Sequence, residues 1–160
     1  MNTNEIIAKF MGYKPLFIEE AVSEMDYPRD TERIHKETLY IKESVDIPFD
    51  VNHKDVALFY FDNYHDGHIY LHVDHFDIIE FRGKDLQIDC IDSSIYDDWK
   101  ELMKVKQEIN RRDLEIRACY GDQFHLNEQM ENMNNCLIAV DLVGFKYFAS
   151  KYIQLITKNK

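Results

Sequence analysis

The sequence predicts an α+β fold: a mainly antiparallel sheet of about five or six strands, with helices packed against it in a sandwich-like way. Three observations predict it. Between residues 37 and 92, short β-branched and aromatic segments alternate with turn-forming residues. On either side of that region, apolar residues recur at the 3.6-residue helical period. Core material is also ample for 160 residues: 45% of the chain is hydrophobic and 13% aromatic, and only 5 Gly and 3 Pro argue against a loop-rich or disordered chain.

The opening "NTNEIIAKFMGY" predicts a short first helix. Asn2 with Glu5, or Thr3, can cap it; Ile6, Ile7, Phe10 and Met11 form one apolar face; Gly12 suits the position just past its end. The following "PLFIEEAVSEMDYPRD" is ambiguous and reads as a brief helix closed before Pro28. Then come the strand segments "ETLYIKE", "VALFYF", "HIYLHVD", "FDIIEF" and "LQIDCI", read as an antiparallel meander, with Asp66-Gly67 as a hairpin dipeptide and "RGKD" at 82–85 as a second turn. Ile69, Leu71 and Val73 share one face, and His68, Tyr70, His72 and Asp74 the other. After Asp74 the parity slips, since Phe76 and Ile78 fall on the polar side, so a bulge is expected near 74–76.

"SSIYDDWKELMKVKQEIN" is the clearest helix. Ser94 is expected to cap it, two aspartates sit in its first turn, and Ile95, Trp99, Leu102, Met103 and Ile109 form the face that packs on the sheet. "LEIRACY", 114–120, alternates like one more strand, and "GDQFHLNEQMENMNN" reads as a polar, partly helical connection. The closing segment has helical spacing through Leu142, Phe145, Phe148, Tyr152 and Ile156; Gly144 leaves open a strand over 137–142 followed by a shorter helix. No repeat or linker divides the chain, so one domain over 1–160 is expected.

Charge is concentrated. Between Glu43 and Asp98, fourteen acidic residues stand against three basic ones (Lys54, Arg82, Lys84), which accounts for the whole net charge of −11. Such a field repels phosphate backbones and membrane surfaces and attracts basic protein surfaces. Direct binding to nucleic acid or membrane is therefore not expected. The apolar runs are far too short to cross a bilayer and no basic start precedes an apolar stretch, so a cytoplasmic location is expected.

The stretch "NYHDGHIYLHVDH" holds four of the seven histidines: His65, His68, His72 and His75. On a strand, same-face neighbours stand about 6.6 Å apart, so His68 and His72 are separated by about 13 Å. Ligand bonds of about 2.1 Å cannot bring both to one ion. The remaining metal options are His72 with Asp74 and a cross-strand Asp62, or His65 with His68 across the turn, against a plainer alternative of exposed hairpin histidines. The cysteines (Cys90, Cys119, Cys136) contain no CxxC pair and are expected to be free, buried thiols. Cys119 with His125 is only a formal Cys/His pair, since nothing nearby activates the thiol. No GxSxG and no phosphate-cradling loop occur. Phe59, Tyr60, Phe61, Tyr64, Tyr70, Phe76 and Phe81 give the acidic region an aromatic surface of the kind that selects a basic partner, unless a helix layer covers it.

Three pieces, "NEIIAKFMGY", "SIYDDWKELMKVKQEI" and "FASKYIQLITKNK", resemble small uncharacterised phage and prophage proteins, especially of Bacteroidetes, and more distantly the phage ABA sandwich domain family. The resemblance covers about a quarter of the chain. It implies a compact α/β sandwich and a phage or mobile-element origin, hence the host cytoplasm, and it implies no catalytic residue.

The function expected is therefore binding rather than catalysis, with no cofactor. In that reading an acidic surface carrying His68, Tyr70, His72, Asp74, Asp77 and Glu80 grips a basic protein, such as a host defence or nucleic-acid-binding enzyme, and inhibits it. The alternatives are a divalent-metal-dependent enzyme or small-ligand binder using the hairpin 65–77, and a small phage structural component, which would form a homo-oligomer.

Overall fold

The computed structural model describes residues 2–18, 31–32, 37–47, 50–51, 56–63, 66–73 and 84–158, with the backbone alone for 31–32, 37, 56–63, 66, 70–73 and 84–86. By packing, the chain divides into two compact units: Gly12–Ile95, which holds the sheet, and Met1–Met11 with Tyr96–Lys160, which holds the helices. The chain is thus α+β, with every strand pair among the described residues antiparallel.

In the sheet unit, β1 (Tyr13–Ile18), β2 (Thr31–Glu32), β3 (Glu37–Lys42), β4 (Val56–Asn63), β5 (Asp66–Val73) and β6 (Lys84–Ile91) pair in the order β1-β3-β6-β5-β4-β2. The meander expectation needs correcting here: β3 lies beside β6, not β4, so the chain crosses over after Lys42. Alternation then sorts the side chains. Ile18, Leu39, Ile41, Ile69, Ile88 and Cys90 form one buried cluster with Val51, and Leu16, Val45 and Ile47 close its edge. The neighbours of opposite parity on β6, Gln87 and Asp89, are exposed. Each large aliphatic side chain buried in this way contributes about 2 kcal/mol. The β1–β3 end is closed by Glu43 N–H donating to the Gly12 carbonyl at 2.9 Å and by Lys14 donating to the Val45 carbonyl.

Two local readings of this region do not hold. Asp66 and Gly67 are not the hairpin turn; they lie within β5, opposite Asn63 and Asp62. Pro15–Ile18 belongs to strand β1, not to a brief helix; the rest of that stretch up to residue 30, the segment "FDIIEF" and the bulge near 74–76 lie outside the described residues.

The helical unit comprises α1 (Thr3–Phe10), α2 (Trp99–Tyr120), α3 (Phe124–Ile138) and α4 (Leu142–Lys158). As the sequence predicts, Asn2 and Glu5 form a reciprocal capping box on α1: each side chain accepts from the other's backbone N–H, at 2.9 and 3.0 Å. Gly12, at φ +90°, follows the helix end. The start of α2 differs from expectation. Ser94 sits in a 3-10 helix, Ser93–Asp97, and the cap is Asp98, which accepts from Lys100 N–H. Ile7, Leu102, Val105, Ile109, Met133, Phe145, Ala149 and Tyr152 are wholly buried and make the core. The Trp99 and Phe145 rings lie 5.5 Å apart.

Residues 114–120, expected as a strand, continue α2. Ion pairs at helical spacing carry the helix through them: Arg112 to Glu108 at 3.0 Å, Arg111 to Glu115 at 2.6 Å, Arg117 to Asp113 at 2.7 Å. Cys119, expected to be buried on that strand, is consequently exposed on a helix, whereas Cys90 and Cys136 are buried free thiols. The alternative strand at 137–142 is also overturned. After Ile138 the chain makes a Schellman turn, with Val140 N–H donating to the Leu137 carbonyl (3.2 Å) and Asp141 N–H to the Cys136 carbonyl (2.8 Å), before α4 begins. Val140 holds the left-handed position of that turn, at φ +53°, which costs an L side chain about 1–2 kcal/mol relative to glycine. Gly144 lets the two helices close up, because a Cβ there would stand 2.3 Å from an Asp141 carboxylate oxygen and 2.9 Å from Cys136 Sγ. Among the described residues no helix is long and apolar enough to cross a membrane.

Candidate binding face of the sheet

β5 runs between β4 and β6, so each of its residues has a partner on both sides. His68 lies opposite Phe61 on β4 and Asp89 on β6; Tyr70 opposite Phe59 and Gln87; His72 opposite Ala57 and Asp85. These positions share one parity, and the core residues Ile69 and Ile88 share the other. Directly opposed residues in an antiparallel pair are about 5 Å apart at Cβ, and successive same-face rows about 7 Å. The outcome is a lattice of His, Tyr, Asp and Phe positions across three strands, backed by an aliphatic core. His68 is half-buried; Asp89 and Gln87 are exposed.

The expected residues His68, Tyr70 and His72 thus fall in one row. Asp74, Asp77 and Glu80, expected beside them, lie outside the described residues, as do His65 and His75. Asp62 is not brought to His72: it partners Gly67, at the parity of the core, five residues along β4 from Ala57. Among the described residues no group of three or more His, Cys, Asp or Glu is placed to hold a metal ion. Asp85 and Asp89 join the face through the β5–β6 register, which no local motif announces.

The helical unit carries polar chemistry that sequence reasoning passed over. Asp113 is buried and doubly bound: one oxygen accepts from the Tyr152 hydroxyl at 2.8 Å, the other pairs with Arg117 Nε at 2.7 Å. Burial, then the bond to Asp113, raises the Tyr152 phenol well above its ordinary value. Lys106 is buried nearby and donates to Asn110 Oδ1 at 3.0 Å; burial lowers its pKa, against the opposing attraction of Asp113. Glu108 is held down at about 2, first by its hydrogen bond from Arg111, with Arg112 adding to it. The i, i+4 spacing of Asp113 and Arg117 was the visible signal, masked by the strand-like alternation around it. A cleft of about 550 Å³ opens where α2, α3 and α4 meet, among Ile116, Tyr120, His125, Leu126 and Ile156. Asp113 and Glu108 are occupied by cations, and the bond from Tyr152 to Asp113 ties α4 to α2. Burial, then the Asp141 charge, pushes the Cys136 thiol up.

Comparison with known protein families, curated proteins and solved structures finds no match.

Proposed function

We propose that this is a non-catalytic binding protein whose acidic sheet face grips a basic protein surface, in the cytoplasm. The observation that carries the reading is the β5–β6 register, which sets His68 against Asp89 and His72 against Asp85 on the face opposite the core. Acidic positions interleaved with aromatic and imidazole positions along adjacent strands suit a partner rich in Lys and Arg, where complementary charge steers the encounter and stacking holds it. The resemblance to phage and prophage proteins extends the proposal to a host defence or nucleic-acid-binding enzyme as the partner, inhibited by occupation of its basic groove. A sandwich-like layering of helices on the sheet belongs to the same proposal.

The test is capture from a bacterial lysate by the wild-type protein and by the double variant Asp85→Lys, Asp89→Lys. The proposal expects basic proteins to be retained by the wild type, released by salt, and not retained by the variant. Retention of the same proteins by both forms sinks it.

A further inference from the structure

The hairpin of α3 and α4 presents a surface that lies wholly on the helical unit. Phe124, Glu128, Glu131 and Ile138 are exposed on α3, and Val143, Tyr147, Lys151 and Lys158 on α4. Their spacings of three, four and seven residues make each set one stripe along its helix. Each stripe lies opposite the residues its helix buries, Met133 and Cys136 on α3, Phe145 and Tyr152 on α4. Ile138, Val140 and Val143 are 82%, 69% and 76% exposed, and Tyr147 48%, so the tip of the hairpin is an apolar patch of the kind that marks an interaction site.

The two stripes carry opposite charge. Helix α3 contains Glu128 and Glu131 and no lysine or arginine; α4 contains Lys146, Lys151 and Lys158 and no acid. Lys146 is occupied by Asp97. Glu101, Glu108, Asp113 and Glu115 of α2 are each paired, whereas among the described residues Glu128, Glu131, Lys151 and Lys158 join no ion pair. Their heights also match. A Cβ on Gly144 would stand 2.9 Å from Cys136 Sγ, so these two residues set a common level across the hairpin. At 1.5 Å per residue, Glu131 and Glu128 lie about 7.5 and 12 Å from that level along α3, and Lys151 about 10.5 Å along α4. Phe124 lies about 18 Å away on α3 and Lys158 about 21 Å away on α4.

We propose that this hairpin face docks the same face of a second copy of the chain, about a two-fold axis that runs along the hairpin. Such an axis keeps every height and exchanges the helices, so each α3 lies over the α4 of the other copy with the tips together. Ile138 then meets Val143 of the second copy, Glu131 and Glu128 flank its Lys151, and its Lys158 reaches the Phe124 ring. The symmetry makes each contact twice. Apolar contact at the tip supplies adhesion, and the charges below it fix the register and disfavour other pairings. Two helices of this length cover less than a standard interface, so the association is weak and follows concentration. The surface is independent of the sheet face proposed to grip a basic partner.

Sedimentation velocity over a concentration series tests this, with a charge swap to identify the contact. The wild-type protein is expected to form dimers at low salt, fewer as salt rises, and nothing larger. The variant Glu128→Lys, Glu131→Lys and the variant Lys151→Glu should each weaken dimerisation about tenfold or more, because each sets like charges opposite one another. Mixed together, the two variants should pair again, since the lysines on α3 of one then face Glu at position 151 of the other and the reverse contact keeps its wild-type sense. Val143→Asp, at an exposed position, should weaken dimerisation with its circular dichroism unchanged. A wild-type protein that stays monomeric at its highest soluble concentration in low salt overturns the inference. So does a mixture of the swapped variants that stays apart, and so does growth beyond the dimer.

Discussion

The two units of this chain differ in their balance of charge. The helical unit holds eleven acidic and eleven basic residues; the sheet unit holds nineteen acidic and eight basic, and with them the entire net charge of −11. In the helical unit the charges are paired along the chain itself: Glu101 with Lys104, Glu108 with Arg111 and Arg112, Asp113 with Arg117. In the sheet unit the β5–β6 register sets Asp85 and Asp89 opposite His72 and His68. An excess of one sign within a unit costs stability by self-repulsion and attracts partners of the opposite sign. That difference is why the sheet is the candidate binding surface and the helical network is not.

The sharpest way to break the comparison is at Asp113. Asp113→Ala leaves the Tyr152 hydroxyl and Arg117 without their buried acceptor, and about 3 kcal/mol of stability should be lost. Urea unfolding followed by the fluorescence of Trp99, the single tryptophan, reads this in the helical unit. A loss below about 1 kcal/mol would show that the network is not what ties α2 to α4. Next in size is Gly144→Ala, whose Cβ collides with Asp141 and Cys136 and should cost about 1–3 kcal/mol by the same assay.

Smaller effects should run the other way. Lys106 has a folded pKa below its ordinary 10.5, so its charged form opposes folding at neutral pH, and that penalty fades as pH rises through the lowered value toward 10.5. Lys106→Met should therefore be neutral or stabilising by up to about 1 kcal/mol near pH 7, with the gain shrinking at alkaline pH. Asp85→Lys with Asp89→Lys should leave stability within about 0.5 kcal/mol of wild type, or raise it slightly at low salt, because it reduces the acidic excess of the sheet unit. A large loss there would place those aspartates in the fold's own support. At the acid end, Glu108 has a folded value of about 2 against an ordinary 4.5, so its stabilising pairs are complete above 4.5 and dissolve as pH falls toward 2. Because Glu108 is partly solvent-screened, this should appear only as a mild rounding of the acid unfolding curve.

What was legible in the sequence was local. The α1 capping box joins residues three apart, and the polar row of β5 follows from alternation, so both could be read directly. The start of α2 was found but its cap misplaced, because the 3-10 turn at Ser93–Asp97 offers the same capping residues a few positions early. Helix α3 was obscured by its polarity: it buries only Leu126, Met133 and Cys136 of fifteen residues, too thin a stripe to show a period. Residues 114–120 misled because Leu114, an exposed apolar residue on a helix, simulated strand alternation with Ile116. The position of β3 beside β6, and the arrival of Asp85 and Asp89 next to His72 and His68, depend on pairing between distant strands. No spacing along the chain encodes that pairing.

The account turns on whether the acidic sheet face is what this protein grips with. The most direct measurement is the salt dependence of binding between the purified protein and a basic partner recovered from lysate, made in parallel with the Asp85→Lys, Asp89→Lys variant. The account predicts that affinity drops about tenfold or more in the variant at low salt, and that the two proteins converge as salt screens the contact. Equal affinities with equal salt slopes would contradict it and place the binding surface elsewhere on the molecule.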